Sequence, residues 1–352
     1  MKKFGIYIHW PFCLSKCPYC DFASEPCSGV DESLLLAGYL RDLRSLPIRK
    51  VNSVFFGGGT PSMMSPQLLE TLLRFIEQKF GFAENVEISL EANPDAIDLD
   101  KMRAFHSLGV NRLSMGVQAL NDADLRFLGR IHDLKTAMKR VEQMRCIFDN
   151  CSIDLIYARP NQTVQSWNDE LDVALSFDLP HLSLYQLTIE EGTVFDKKGV
   201  EPADEEIART LYLNTLEKME KKGLMLYEVS NFAKPSFECK HNLLYWLGDD
   251  YAGVGPAAHG RLGLVATENP TSVADWIKSG TTQTPLSKEE RFEEKIMMGL
   301  RLKNGMSAAG IHPDKIQQAV LNGWLYFNER DLWMAPTQEG LLMLNQLILL
   351  LV

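Results

Sequence analysis

The 352-residue chain has neither an excess of positive charge nor a long hydrophobic run. Its formal net charge is −10 without any cluster of lysine and arginine, which argues against a surface that neutralises nucleic-acid phosphates. The apolar stretch 341–352 is shorter than the roughly 20 residues that cross a bilayer. Residues 4–10 are too few for a signal peptide, and no small-residue cleavage site follows them. We therefore expect a cytoplasmic protein without a nucleic-acid partner.

Cysteine is scarce, and its distribution along the chain is uneven. The seven cysteines are an odd number without a secretion signal, which argues against a disulfide framework. Three of them, Cys13, Cys17 and Cys20, fall within eight residues. Since 45% hydrophobic and 23% charged residues are ordinary for a globular protein, this cluster is the first place to look for chemistry.

Short β-type runs alternate with helical stretches over the first two-thirds of the chain. The predicted strands are 5–9, 51–56, 86–91, 112–118, 153–157 and 181–187. The predicted helices are 31–46, 66–79, 99–108, 136–147, 164–177 and 204–222. This alternation indicates βαβ units and a parallel sheet. Because six units do not complete an eight-stranded barrel, we predict an α/β fold with a partial, open (β/α)6 TIM-like barrel. A doubly wound sheet is the alternative.

The pattern changes after residue 229. Residues 231–263 are rich in glycine, aromatic residues and histidine without a clear period, which predicts a binding loop. A helix is predicted at 289–300, and a short hairpin at 324–328 and 332–335. We divide the chain into a core at 1–232 and a C-terminal region at 233–352 that contains a smaller α+β domain.

Residues with chemical potential lie at one end of the predicted strands. The cysteines at 13–20 follow the first strand, and a glycine-rich turn at 57–61 follows the second. Glu91, Gln118 and Asp154 lie at or near the ends of the next three. Functional sites of parallel α/β folds form at the carboxyl edge of the sheet, so we expect these residues to share one site.

The C-x-x-x-C-x-x-C spacing supplies three thiolates from one loop. A structural zinc site needs four ligands, so His9 or Cys27 would have to complete one. A [4Fe–4S] cluster held by three thiolates keeps one iron open to a small molecule. Soft thiolates suit such a cluster, which favours an iron–sulfur centre and leaves zinc as the alternative.

The cysteine spacing, with Tyr19 directly before the last cysteine, resembles the signature of radical S-adenosylmethionine (SAM) proteins. The resemblance implies a [4Fe–4S] cluster on Cys13, Cys17 and Cys20 whose open iron chelates the methionine moiety of SAM. In that family, SAM is cleaved to a 5′-deoxyadenosyl radical. The SAM-contacting positions that it implies are Tyr7, Tyr19, Gly58, Gly59, Thr60, Glu91, Gln118, Arg130 and Asp154. It assigns no catalytic residue.

Further stretches resemble proteins related to oxygen-independent coproporphyrinogen III oxidase. They are IHWPF at 8–12, DLIY at 154–157 and LSLYQL at 182–187. However, Phe22 stands where the oxidases carry a further cysteine, two residues after the last ligand. The stretch HNLLYW at 241–246 matches the HNxxYW motif of the heme chaperone HemW branch. In the related stretch at 248–260, Ala257 departs from the glycine pattern of that branch.

The resemblance therefore implies a heme chaperone that binds SAM and a cluster. It implies His241 as the heme ligand, with His259 and Cys239 as further candidates, because neutral imidazole ligates heme iron. The expected recipients of heme are apo-cytochromes or other heme-accepting proteins of respiration. The alternative function is oxidative decarboxylation of coproporphyrinogen III in porphyrin biosynthesis. The sequence leaves open a homodimer, a peripheral membrane contact and the role of Cys27.

Overall fold

The computed structural model of the chain describes residues 2–27 and 29–352. The strands are β1 Phe4–Trp10, β2 Phe12–Cys13, β3 Glu25–Pro26, β4 Val51–Gly58, β5 Phe82–Ala92, β6 Arg112–Gln118, β7 Asn150–Tyr157, β8 His181–Gln186, β9 Met225–Glu228, β10 Asn231–Ala233, β11 Asp250–Val254, β12 His259–Leu262, β13 Val265–Glu268, β14 Thr282–Pro285, β15 Met306–Ser307, β16 Leu325–Asn328 and β17 Trp333–Pro336. The helices are α1 Glu32–Ser45, α2 Pro66–Phe80, α3 Leu99–Ser107, α4 Asp122–Phe127, α5 Leu134–Arg145, α6 Val164–Ser176, α7 Val194–Lys197, α8 Glu205–Lys221, α9 Lys240–Trp246, α10 Val273–Ser279, α11 Lys288–Gly299, α12 Pro313–Leu321, α13 Gln338–Leu342 and α14 Leu344–Leu351, with a 3₁₀ turn at Pro61–Met63.

The six predicted strands form the centre of one large mixed sheet. They are β1, β4, β5, β6, β7 and β8, and they pair in parallel in chain order. In a doubly wound sheet the order of these strands would reverse, whereas here it runs in one direction. This order confirms the α/β, partial-barrel prediction. Strand β11 adds in parallel beside β1, and antiparallel strands extend both ends of the sheet.

The helices that cover the sheet carry apolar residues at helical spacing. Helix α2 begins with Pro66 after Ser65, whose Oγ accepts a hydrogen bond from the Leu68 amide at 3.1 Å. These two residues are strong start signals for a helix. The buried face of α2 consists of Leu68, Leu69, Leu72, Leu73, Ile76 and Phe80. The sequence boundaries of this helix therefore follow from local chemistry, and its orientation follows from burial of that face.

The region 231–263 contains regular structure, so the prediction of a loop there is wrong, while its role in binding stays a prediction. It holds β10, α9, β11 and β12, which are three to seven residues long. Elements this short contain one or two periods, so their hydrophobic pattern cannot be distinguished from that of a loop. Their packing with distant strands stabilises them instead: β11 pairs with β1 over five residues.

The C-terminal residues pack around a second, smaller hydrophobic cluster. It includes Ile296, Ala319, Leu325 and Leu347. The apolar tail forms α14, in which Leu347 is fully buried whereas Leu349 is 80% exposed. In the described parts of the chain, no helix combines the length and the hydrophobicity that a membrane span requires. The division at residue 232 stays a prediction.

A buried carboxylate joins α1 to the segment that follows β11. Asp42 Oδ2 accepts hydrogen bonds from the Gly255 amide at 3.1 Å, Asn269 Nδ2 at 3.0 Å and Trp276 Nε1 at 2.7 Å. Arg41 pairs with Oδ1 at 2.9 Å. Because these donors come from three separate segments, Asp42 fixes the turn that leads into β12.

Replacing Asp42 by alanine is expected to lower the free energy of unfolding by about 3–5 kcal/mol, because it leaves the buried Gly255 amide and Trp276 indole without an acceptor and Asn269 Nδ2 with only the Gly255 carbonyl. Urea unfolding of the metal-free chain measures this loss. Alanine at Asp275, an exposed aspartate on α10, is the matched control and should change stability little. Equal losses in the two variants would contradict the role of the buried carboxylate.

Candidate functional site

The three clustered cysteines line one cavity at the carboxyl edge of the sheet. Cys13 ends β2 and is buried, and Cys17 and Cys20 are half-buried in the loop that follows. The cavity measures about 330 Å³, and all three cysteines line it. No three His, Cys, Asp or Glu side chains within 2–27 and 29–352 converge on a position for a single metal ion. An iron–sulfur cubane is larger than one ion, and three thiols around a shared cavity suit it.

Burial raises the pKa of the Cys13 and Cys20 thiols. The hydrogen bond with Ser24 opposes this shift at Cys13, and the Cys17 thiol accepts a hydrogen bond from Arg130 Nη1 at 3.4 Å. Since metal ligation requires thiolates, binding of a cluster releases protons and benefits from this cation. Arg130 is anchored by a second hydrogen bond, from Nη2 to the Gly116 carbonyl in β6 at 3.0 Å.

Cys27 occupies a different position from the other three. Its amide donates to the Cys13 carbonyl at 3.0 Å through the short β2–β3 pair. Its thiol lies 3.6 Å from the Gly29 carbonyl, and it is absent from the residues described as lining the cysteine cavity. The backbone therefore brings Cys27 close to the cysteine loop without directing its sulfur to the cavity.

The glycine-rich turn after β4 lies directly against the cysteine loop. The Gly59 amide donates to the Trp10 carbonyl at 2.7 Å, and the Thr60 amide to the Phe12 carbonyl at 2.7 Å. A Cβ on Gly59 would lie 2.3 Å from that Phe12 carbonyl oxygen. Gly58 adopts a φ of +109°, which L-residues rarely adopt. These two positions therefore require glycine, one for close approach and the other for its backbone angle.

Two carboxylates and one strained residue form the floor of the cavity. Glu91 Oε2 accepts from the Gly58 amide at 3.2 Å, and Asp154 accepts from Ser114 Oγ at 3.0 Å. Gln118 has a φ of +72° at a bulge at the end of β6. Backbone strain of this kind is concentrated at ligand sites. Burial raises the pKa of Asp154, and burial and then the Asp154 charge raise that of Glu91 to about 8.

The raised pKa of Glu91 predicts a pH dependence of stability. The folded chain keeps a proton that the unfolded chain, with an ordinary pKa of 4.5, releases. The free energy of unfolding should therefore fall as the pH rises from about 4.5 to about 8, and then level off. Glu91→Gln should remove this contribution, so that the variant melts above the parent at pH 8.5 and close to it at pH 4.5.

Thermal melts of the metal-free protein across this pH range test the expectation. Glu84→Gln, an exposed glutamate on the same strand β5, is the control and should follow the parent profile. Parallel melting profiles of the parent and Glu91→Gln would contradict the raised pKa.

The structure brings together eleven of the thirteen residues that the sequence analysis selected. Those lining the cysteine cavity are Cys13, Cys17, Tyr19, Cys20, Gly58, Gly59, Thr60, Glu91, Gln118, Arg130 and Asp154. Tyr7 lines a second, adjoining cavity of about 470 Å³. His241, on α9, lines neither of these cavities but a smaller one of about 210 Å³ that it shares with Glu91, Asp154 and Tyr185. Their roles in binding stay predictions.

Several lining residues were not selected from the sequence. Asn93 donates from Nδ2 to Thr60 Oγ1 at 3.0 Å, and Tyr185 and Gln186 end β8 at the same edge of the sheet. The rule that sites form at the carboxyl ends of parallel strands, applied to the sixth strand, identifies Tyr185 and Gln186. Asn93 lies two residues after Glu91, just beyond the end of β5.

The HNxxYW segment lies in α9, and its residues have two kinds of surroundings: His241 is buried, whereas Tyr245 and Trp246 line the second cavity. His241 is 1% exposed; its Nδ1 lies 2.8 Å from Ser53 Oγ, and its Nε2 lies 2.7 Å from the Tyr245 hydroxyl. Burial lowers its pKa to about 3, so the ring is neutral. Tyr245 and Trp246 line the second cavity, as does His259 from β12. Cys239 is fully buried, and its thiol contacts Glu87 at 3.5 Å.

Comparison with known proteins gives matches over most of the chain. The Radical SAM superfamily model matches residues 7–174. Heme chaperone HemW of Lactococcus lactis is 35% identical over 87% of this chain and 83% of its own length. Heme chaperone HemW of Bacillus subtilis is 33% identical over 97% of both. The mitochondrial radical S-adenosyl methionine domain-containing protein 1 of Mus musculus is 36% identical over 86% of this chain and 74% of its own length.

Among solved structures, coproporphyrinogen III oxidase (HemN) of Escherichia coli, a radical SAM enzyme, has a similar fold. The TM-score is 0.84 over 99% of this chain and 90% of that one. At 19% identity this likeness concerns the fold alone. The curated relatives decide the family, because they exceed 30% identity over most of both chains. The chain belongs to the heme chaperone HemW family of radical SAM proteins.

Proposed function

We propose that this protein is a heme chaperone that holds a [4Fe–4S] cluster and SAM in the cysteine cavity and delivers heme to apo-cytochromes or other heme-accepting proteins. The observation that carries the proposal is the junction of two cavities. The cysteine cavity and the cavity beside α9 share Phe22, Gly58 and Glu91. A cofactor in the first therefore adjoins a ligand in the second.

The residues of the first cavity match the chemistry of a cluster and SAM. Cys13, Cys17 and Cys20 would hold three irons, which leaves the fourth for the methionine moiety of SAM. When bound, the pair supplies one-electron chemistry at the sulfonium. The chain contributes close backbone approach at Gly59 and a guanidinium at Arg130.

The second cavity offers flat aromatic faces to a macrocycle. Tyr245, Trp246 and Tyr251 line it, with Tyr245 and Tyr251 edge-to-face at 4.5 Å between centroids. Aromatic side chains with one polar end suit a planar, partly charged ligand such as heme. Phe22, where the related oxidases have cysteine, is 58% exposed at the junction. An apolar side chain there supports heme handling over the oxidase reaction.

One anaerobic experiment separates chaperone from oxidase. The cluster is reconstituted, SAM and dithionite are added, and the protein receives either coproporphyrinogen III or hemin. We expect stoichiometric hemin binding, transfer of heme to an apo-cytochrome, and no protoporphyrinogen IX. Formation of protoporphyrinogen IX at a rate that depends on SAM would overturn the proposal in favour of the oxidase.

A further inference from the structure

The second cavity combines aromatic faces with unpaired cationic donors. Arg291 is 7% exposed in its wall, and its Nε has no hydrogen-bond partner in the described structure. Arg261 bonds Glu294 through Nε at 2.8 Å and the Gly260 carbonyl through Nη1 at 3.0 Å. Among the described residues, no partner is found for its Nη2. A ligand with a planar apolar body and carboxylates at its edge fits such a wall.

The histidine of the HNxxYW segment is not available to a ligand in this cavity. Both ring nitrogens of His241 have partners, Ser53 on one side and Tyr245 on the other. To reach an iron, the ring would have to leave both hydrogen bonds and a site where it is 1% exposed. The i, i+4 spacing within α9 places Tyr245 between His241 and the cavity.

A different histidine faces the cavity. His259 is exposed at the start of β12, and the described structure assigns its ring no hydrogen bond. Its backbone is fixed, because it pairs with Glu268 of β13 and packs against Gly253. The turn before it is held by the Asp42 carboxylate through Gly255. The ring is therefore accessible on a rigid support, as a metal ligand requires.

We propose that His259 supplies the protein ligand to heme iron in the second cavity, and that His241 is a positioning residue that fixes Tyr245. This inference rests on the proposed function and adds the ligand to it. A neutral ring nitrogen of His259 donates a lone pair to the iron, and no electron is transferred. Arg261 and Arg291 line the same cavity, where Arg291 is held by Glu294 at 3.0 Å and by the Gly248 carbonyl at 3.1 Å.

Hemin titration of the full chain with its reconstituted cluster tests the proposal. Soret absorption gives the affinity, and EPR reports the ferric heme without interference, because an oxidised [4Fe–4S]²⁺ cluster is EPR-silent. His259→Ala should weaken hemin binding at least about tenfold and change both spectra. Added imidazole should restore the parent spectra by replacing the deleted ring.

Two further variants make the result specific. His106→Ala removes an exposed histidine on α3 and should behave as the parent. His241→Gln keeps an amide that can reach Tyr245, and it should keep the spectra of a histidine-ligated heme with a moderate loss of affinity. If His259→Ala kept the parent spectra and His241→Gln lost them, the ligand assignment would be overturned while the proposed function would stand. A parent protein that binds no hemin would overturn the proposed function and the assignment together.

Discussion

Replacing Cys13, Cys17 or Cys20 singly by alanine is expected to reduce the iron content after anaerobic reconstitution from about four per chain to less than about one. The three thiols around the cysteine cavity are its cysteine donors in the described structure. With one of them removed, two thiolates remain, which is too few to hold a cubane against solvent. Iron and sulfide analysis and the visible charge-transfer absorption measure the loss.

Two other cysteines serve as controls for this experiment. Cys146 is exposed after α5, and its replacement by alanine should leave iron binding unchanged. Cys27→Ala should also retain the cluster, because its sulfur is not directed to the cavity. A Cys27→Ala variant that loses iron as completely as Cys17→Ala would show a fourth thiolate ligand and contradict an open iron site.

Gly59→Ala is expected to abolish SAM binding by the reconstituted protein. The new methyl group would lie 2.3 Å from the Phe12 carbonyl oxygen and 2.7 Å from its carbon. These are backbone atoms of the segment that carries Cys13, so a side-chain rotation cannot relieve the overlap. The turn and the cysteine loop must separate, at a cost of about 1–3 kcal/mol in stability. Equilibrium dialysis with labelled SAM and urea unfolding measure the two effects.

The control for Gly59→Ala is a glycine that lies away from the site and whose replacement strains only the local backbone. Gly223, after α8, has a φ of +73° and open space around it. Gly223→Ala should cost about 1–2 kcal/mol through backbone strain while SAM binding is retained. If Gly59→Ala bound SAM as Gly223→Ala does, close approach at Gly59 would not be a requirement of the site.

The strand positions and the cysteine cavity could be predicted because the signals are local or follow one general rule. The six strands alternate with helices, and parallel strands place their carboxyl ends at one edge. Residues far apart in sequence, such as Gly59 and Asp154, therefore meet. The short elements between 231 and 263 could not be predicted, since pairing with distant strands stabilises them.

Tyr7 shows a limit of the rule that sites form at the carboxyl edge of a parallel sheet, because the rule does not predict which cavity a side chain lines. It lies on β1, near the cysteines in sequence, yet its side chain lines the second cavity with Tyr245. Its hydroxyl lies 3.1 Å from His9 Nδ1. The strand position predicts proximity to the cysteine loop, but the face on which a side chain points depends on register and on the twist of the sheet.

By itself the sequence determined the three-thiol loop, because Cys13, Cys17 and Cys20 are separated by few residues and one turn brings them together. It did not determine the helix at Lys240–Trp246, where the pattern predicted a loop; the structure forms that helix, and the four-residue spacing then places His241 and Tyr245 on one face of it. Only the tertiary structure decided what this face of the helix contacts. Ser53 of β4 lies against His241, whereas His259 of β12 lines the second cavity. Local geometry depends on neighbouring residues in the chain, whereas burial and access depend on contacts between segments that are distant in sequence.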